Sequence, residues 1–266
     1  MTQPGHVAPA TPGWWVRTNR VGTNKTGTNW AISATGGRDS LGTASGSYTW
    51  AGSATGSRGT EFSAANAVVN ATSVPIPPHS VGDLIVIFAR LSGGSSPAAP
   101  AAGGTVPAWV SVAASDASGS LLANCTVVQY IATATNHTSG VWTLTDSMVA
   151  AVITEANLVT PIGGSAAPIN QSVPNSCAAP SITMTNTDQT SVLLHFHGWG
   201  DGSNPITSIS AAPAGYTRRA TAILPGASGI GVCLNTKDVT SSDGAINQPA
   251  VGNPYTVGAT VEVLAR

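Results

Sequence analysis

From about residue 61 onward, short apolar runs alternate along the chain with clusters of Pro, Gly, Asn, Asp and Ser. The runs include DLIVIFA (83–89), CTVVQYI (125–131), VAAVIT (149–154), SVLLHFHGW (191–199) and GATVEVLA (258–265). Apolar runs of this length, bounded by turn-forming residues, predict β-strands of a sandwich or barrel. Residues 1–60 read differently. RVGTNKTGTNW (20–30) repeats Gly-Thr-Asn at a five-residue spacing, SATGGRDSLGTASGSYTWAGSATGSRG (33–59) is broken by glycine every few residues, and no 3.6-residue periodicity survives. The pattern predicts an all-β chain: a sandwich or barrel over residues 61–266, preceded by an irregular or extended N-terminal arm over residues 1–60.

The apolar pattern also repeats itself. DLIVIFARLSGGSS (83–96) aligns with SVLLHFHGWGDGSN (191–204) at an offset of 108. VPAWVSVAAS (106–115) aligns with APAGYTRRAT (212–221), slightly off that spacing. LLANCTVVQYIAT (121–133) aligns with GIGVCLNTKDVTS (229–241), again at 108, which makes Cys125 and Cys233 equivalent. VAAVITEA (149–156) aligns with GATVEVLA (258–265). Four blocks in one order indicate two sequence-related halves, about 61–160 and 161–266, each contributing about four strands.

Charge changes the picture of the arm. Charged residues make up only 8% of the chain, so solubility must rest on hydroxyls and amides, while 42% hydrophobic content with a net charge of −1 predicts a folded chain. Arg17, Arg20, Lys25, Arg38 and Arg58 face Asp39 alone in residues 1–60, a charge of +4; residues 61–266 carry −5. This asymmetry predicts an arm that docks on an acidic surface. Five cations in sixty residues are too sparse for a nucleic-acid partner. Four of the seven tryptophans, Trp14, Trp15, Trp30 and Trp50, also fall there. Burying such rings removes roughly 150–250 Å² each, so they are expected to pack on the chain's own body or on a neighbouring subunit of a homo-oligomer. Trp14, Trp15, Arg17, Arg20, Lys25 and Trp30 form the expected docking set. Ordering this glycine-rich arm costs roughly 1–2 kcal/mol per residue in backbone entropy, which favours a partner's surface.

Candidate chemistry centres on TSVLLHFHGWGDGS (190–203), where His195 and His197 share one face of a strand and Asp201 follows in an expected turn. Their equivalents in the first half are Ile87, Ala89 and Gly93, none of which ligates a metal. Zinc takes three or four ligands with fixed supporting partners, so two histidines fall short, and no metal, cofactor or catalytic residue is expected. Asp116, Asp146, Glu155, Asp188, Asp238 and Asp243 fall in or beside turns or at strand ends and read as solvated surface. Gly226-Ala227-Ser228-Gly229 is not a nucleophile elbow, and LSGGSS (91–96) has no lysine or helix to make a phosphate loop. Cys125, Cys177 and Cys233, an odd count without a Cys-x-x-Cys, read as buried free thiols. The N-terminus lacks a secretory pattern, and no apolar run approaches the roughly 20 residues that span a bilayer. Synthesis in a cytoplasm without membrane insertion is the expectation.

The residues SVPIPPHSVGDLIVIFA (73–89), the small-residue loop SGGSSPAAPAAGG (92–104), the turns at Pro107-Ala108-Trp109 and Pro213-Ala214-Gly215-Tyr216, and the closing ATVEVLAR (259–266) resemble a family of β-sandwich domains found in virion proteins of tailed phages infecting actinobacteria. The family's turn glycine is missing from the first of these turns, and Thr190-Ser191 stands in the second half where the first has Gly82-Asp83. The resemblance covers residues 61–266 and implies a jelly-roll-like antiparallel β-sandwich that serves as a non-enzymatic assembly or adhesion module: a virion structural protein of the minor tail or baseplate type, or a head decoration protein, bound to other virion subunits. A third expectation is a host-adhesion module that binds a surface glycan. For that role Trp199, with Asp201 and Asn204, is the candidate sugar platform, because jelly-roll sandwiches often serve as lectins.

Overall fold

The computed structural model describes residues 22–23, 29–35, 47–51, 60–93, 95–114, 123–166, 175–225, 229–238 and 245–266; in the first three ranges and at 201–205, 238 and 253–254 the backbone alone is described. The chain divides into two units, Met1–Arg58 and Gly59–Arg266. In the first unit, β1 (Gly22–Thr23), β2 (Asn29–Thr35) and β3 (Ser47–Ala51) form an antiparallel sheet, with Trp30 opposite Gly22 and Trp50 opposite Ile32. The glycine-broken stretch expected to be extended therefore contains paired strands. Trp14, Trp15, Arg17, Arg20 and Lys25 lie outside the described residues.

The second unit is an all-β antiparallel sandwich, with no helix among the described residues. Its first sheet holds β4 (Glu61–Val69), β5 (Leu84–Ser92), β6 (Val110–Ala114), β7 (Ala123–Ile131) and β8 (Ser147–Thr154) in the order β4-β8-β5-β7-β6. The second is built from β9 (Ile162–Ala166), β10 (Ser176–Ala179), β11 (Val192–Ile209), β12 (Thr217–Leu224), β13 (Ile230–Asp238) and β14 (Ile246–Val263). Here β14, β11, β13 and β12 follow one another, while β9 and β10 pair with different stretches of β14. The order β9-β14-β11-β13-β12 therefore repeats that of the first sheet, and β10 is an addition of the second half, so the halves hold five and six strands where four each were expected. Even the irregularities recur: β6 shifts register between Ser111 and Ala113, β12 between Arg218 and Ala220, and both β4 and β9 shift near their starts.

The ladders refine the alignment of the halves. Leu84 pairs with Ile131 and Ile153, and its counterpart Val192 pairs with Asp238 and Val263. The offset is thus 108 for β5/β11, 107 for β7/β13 and for β6/β12, and 110 for β8/β14. Cys125 corresponds to Val232, not to Cys233. A one-residue slip moves a side chain to the opposite face of a strand, and accordingly Cys125 lies in the core between the sheets while Cys233 lies on the outer side. The block 149–156 likewise matches 259–266, one residue beyond the sequence alignment.

One core joins the halves. Leu84, Val86, Phe88, Cys125, Val127, Val149, Ala151 and Ile153 of the first sheet meet Val192, Leu194, Phe196, Val232, Leu234, Ala259, Val261 and Val263 of the second, all without solvent exposure. Phe88 stacks on its own counterpart, Phe196, with centroids 5.2 Å apart and planes within 4°. A local two-fold relation between the sheets therefore runs through this pair. The edges close by related contacts: Arg219 of β12 lies over the Phe62 ring of β4 at 4.6 Å, and Ser165 of β9 donates to the Val112 carbonyl of β6 at 3.4 Å.

Arg90, next on the inner face after Phe88, breaks the apolar pattern. Its side chain is fully buried, and Nη1 donates to both Asp146 carboxylate oxygens at 2.9 Å. Nη2 donates to Ser92 Oγ at 2.8 Å and to the Gly200 carbonyl of the opposite sheet at 3.1 Å. Room for the guanidinium comes from the second half, where a Cβ on Gly200 would overlap Nη1 and one on Gly198 would press on Cδ. Asp146, expected as solvated surface, is instead the partner that neutralises this cation, with its side chain 15% exposed. Removing one member of a buried ion pair strands the other, at a cost of about 3–5 kcal/mol. Asp146→Ala should therefore lose about that much stability in urea denaturation, and Gly200→Ala about 1–3 kcal/mol through overpacking against the tethered guanidinium.

Candidate functional site

The histidine strand belongs to the outer face of the second sheet, and its surroundings decide what it can do. β11 does not turn after Trp199 as expected. It continues to Ile209, with register shifts between Gly200 and Asn204 and between Asn204 and Ser208. β10 crosses the outer face, so that His197 Nδ1 donates to the Cys177 carbonyl at 3.1 Å. A Cβ on Gly258 would overlap the Ala178 carbonyl, so glycine there permits the close approach of β10. His195 Nδ1 donates to Thr260 Oγ1 at 3.3 Å, whose own hydrogen goes to the Pro180 carbonyl at 2.6 Å. The His195 ring meets Tyr216 edge to face at 5.2 Å, and Lys237 Nζ lies over the same Tyr216 ring at 5.2 Å.

Both imidazoles are fully buried. Desolvation, helped by neighbouring His195, lowers the pKa of His197 from 6.5 to about 3, so the ring is neutral. Cys177 is held protonated by the same burial, its pKa pushed up to about 12, and Cys233 is pushed up as well. All three cysteines are free and buried, and Cys177 and Cys233, so raised, lack the thiolate character that nucleophilic or metal chemistry requires. Among the described residues, no group of three or more His, Cys, Asp and Glu is arranged to hold a metal ion.

Trp199 is also fully buried, in a cluster with Cys177, Ile206, Cys233 and Ala250. It stacks near His197, with centroids 6.1 Å apart. A sugar platform needs an open ring face, which Trp199 does not offer. Asp201 and Asn204 belong to β11, and their side chains lie outside the described residues.

Two polar centres escaped the sequence reading. Glu262 sits at zero exposure on the outer face, where the first half has Val152. Its carboxylate accepts from Gly164 N at 2.8 Å, Thr185 N at 2.7 Å, Asn186 N at 3.0 Å and Ser191 Oγ at 3.0 Å. One anion thereby fixes β9, the loop before β11 and the start of β11. The other centre is an amide relay. Arg218 Nε donates to Asn235 Oδ1 at 2.7 Å, and Asn235 Nδ2 donates to Gln248 Oε1 at 2.9 Å. Gln248 Nε2 in turn faces the Ser210, Ala211 and Pro249 carbonyls at 2.9–3.2 Å. A single carboxylate inside the apolar run ATVEVLA was the legible sign of the first centre, because a charge buried in a strand must be matched by donors.

No protein-family model matches the chain, no curated protein matches it, and no solved structure matches it.

The depressed pKa of His197 makes stability depend on pH. Between pH 6.5 and about 3 the unfolded imidazole binds a proton that the folded one refuses, so stability falls as pH drops through this window. The slope reaches at most about 1.4 kcal/mol per pH unit for the one group. His197→Gln should flatten this component when denaturation is measured at pH 7, 5 and 4. Glu262→Gln turns an amide NH2 toward backbone donors and should cost about 2–3 kcal/mol at pH 7.

Proposed function

We propose that this chain is a non-enzymatic structural protein of a tailed-phage virion, a minor tail or baseplate component whose residues 1–60 dock on neighbouring virion subunits while the sandwich projects. The observation that carries this reading is the employment of the sandwich's chemically capable side chains. Arg90 and Asp146 bind each other beside the core, Glu262 is saturated by four donors, and His195, His197 and the three thiols are buried under or within the strands. Each of these groups maintains the fold, as expected of an assembly module. The charge split supports the docking role, since a +4 segment precedes a −5 body, and opposite fields steer association. The resemblance of residues 61–266 to virion β-sandwiches points the same way.

Deletion of residues 1–59 tests the reading, with Thr60 kept because its amide donates to the Thr190 carbonyl at 3.0 Å. The truncated protein should keep a β-type circular dichroism spectrum and unfold cooperatively, yet vanish from purified particles. Tails and heads separated before mass spectrometry should carry the intact protein in the tail fraction. Normal incorporation of the truncated chain would refute arm docking.

A further inference from the structure

The apolar outer face of the first sheet, formed by Ile85, Ile87, Ala89, Val128, Met148, Ala150 and Val152, is covered by loops rather than by strands. At one side of this cover, Trp142 Nε1 donates to the Ser139 carbonyl at 3.1 Å, and Ser139 Oγ accepts from Val74 N at 3.0 Å. At the other side, two imidazoles hold the loops together. His137 Nε2 accepts from Thr133 N and Ala134 N, each at 3.2 Å, and lies 3.3 Å from Thr133 Oγ1, while its Nδ1 faces the Thr105 carbonyl at 3.3 Å. His79 Nε2 accepts from His137 N at 3.3 Å, and its Nδ1 faces the Pro77 carbonyl at 2.9 Å. The two rings stack, with centroids 5.8 Å apart and planes within 9°.

The partners dictate the protonation state. A backbone N–H can only donate and a carbonyl can only accept, so each ring carries its proton on Nδ1 and presents a bare Nε2. A second proton would turn each Nε2 from acceptor into donor, facing N–H groups that cannot accept and, at His137, leaving the Thr133 hydroxyl alone able to do so. It would also place two like charges on stacked rings. The other titratable group against the pair is Tyr130, whose ring meets His137 edge to face at 5.3 Å. No carboxylate hydrogen-bonds to either imidazole among the described residues; the nearest acid along the chain, Asp83, accepts from Ser80 N at 2.7 Å.

We propose that His79 and His137 form an acid-released latch: as neutral imidazoles they tie the loops around residues 77–79, 105 and 133–137 over the first sheet, and when protonated they let this cover open and expose the apolar face beneath. In acid the opening takes up protons that are returned on closing.

Hydrogen exchange read by mass spectrometry on the full chain at pH 7.5 and pH 5, corrected for intrinsic rates, tests the latch. Peptides covering residues 74–82 and 133–143 should open more readily at pH 5, by up to about tenfold per pH unit for each proton taken up. In the double variant His79→Gln/His137→Gln the same peptides should show equal corrected exchange at both pH values. His197→Gln, which removes the other acid-sensitive histidine, should leave the response of the cover intact. An unchanged cover at pH 5 in the native protein, a response that survives in the double variant, or one abolished by His197→Gln would each overturn the proposal.

Discussion

Two sheets of the same strand order share one core, and this obliges the inner face of each half to remain apolar while leaving the outer faces free to diverge. The two-residue alternation of a strand enforces the division. On the inside, Leu84, Val86 and Phe88 have kept counterparts Val192, Leu194 and Phe196, and the stacked phenylalanines mark where each half meets its own image. On the outside, Ile87, Ala89, Ala150 and Val152 stand opposite His195, His197, Thr260 and Glu262. The first half then needs a cover that excludes water, and loops tied by Trp142, His79 and His137 supply it. The second needs a cover rich in backbone donors and acceptors, and β10 with the loop before β11 supplies that.

The core tolerates one large departure from this obligation, and it is asymmetric between the halves. Arg90 occupies the position held by Gly198 in the other half, so a long cation on one side is accommodated by the absence of a side chain on the other. The Gly200 carbonyl and Asp146 complete its ligation. An isolated buried charge would cost several kcal/mol, and a paired one is roughly neutral against an apolar substitute. Its contribution is therefore better understood as registration of one sheet against the other than as net stability.

The all-β class was legible in the sequence because apolar runs bounded by glycine, proline and asparagine have few other solutions. The duplication was legible as well, since DLIVIFA and SVLLHFH preserve their spacing. Alignment by similarity nonetheless slipped a residue at the cysteines, because identity of Cys125 and Cys233 outweighed the face each occupies; hydrogen-bonded register, which similarity does not contain, places them on opposite sides. Asp146 was misjudged for a related reason. Its position beside a turn suggested solvent, while its partner Arg90 lies 56 residues away and is brought near only by the pairing of β5 with β8. Trp199 misled in the opposite direction, because Gly-Asp-Gly after it resembles a turn, yet the strand runs on and seals the ring inside.

A chain with so few charges can spend its remaining polar groups in only two ways, on binding sites at the surface or on holding the interior together. In the described sandwich the second use dominates. Arg218, Asn235 and Gln248 form a relay ending on main-chain carbonyls, Glu262 gathers main-chain amides, and each histidine faces at least one main-chain group or a hydroxyl already bonded to one. These are bonds between side chains and backbone, which fix loops and strand ends at positions no ladder reaches. They explain how long, irregular connections can be held against two sheets whose three cysteines are all free. They also localise an acid sensitivity of the fold at His197, which burial beneath β10 keeps neutral and whose pKa is lowered to about 3.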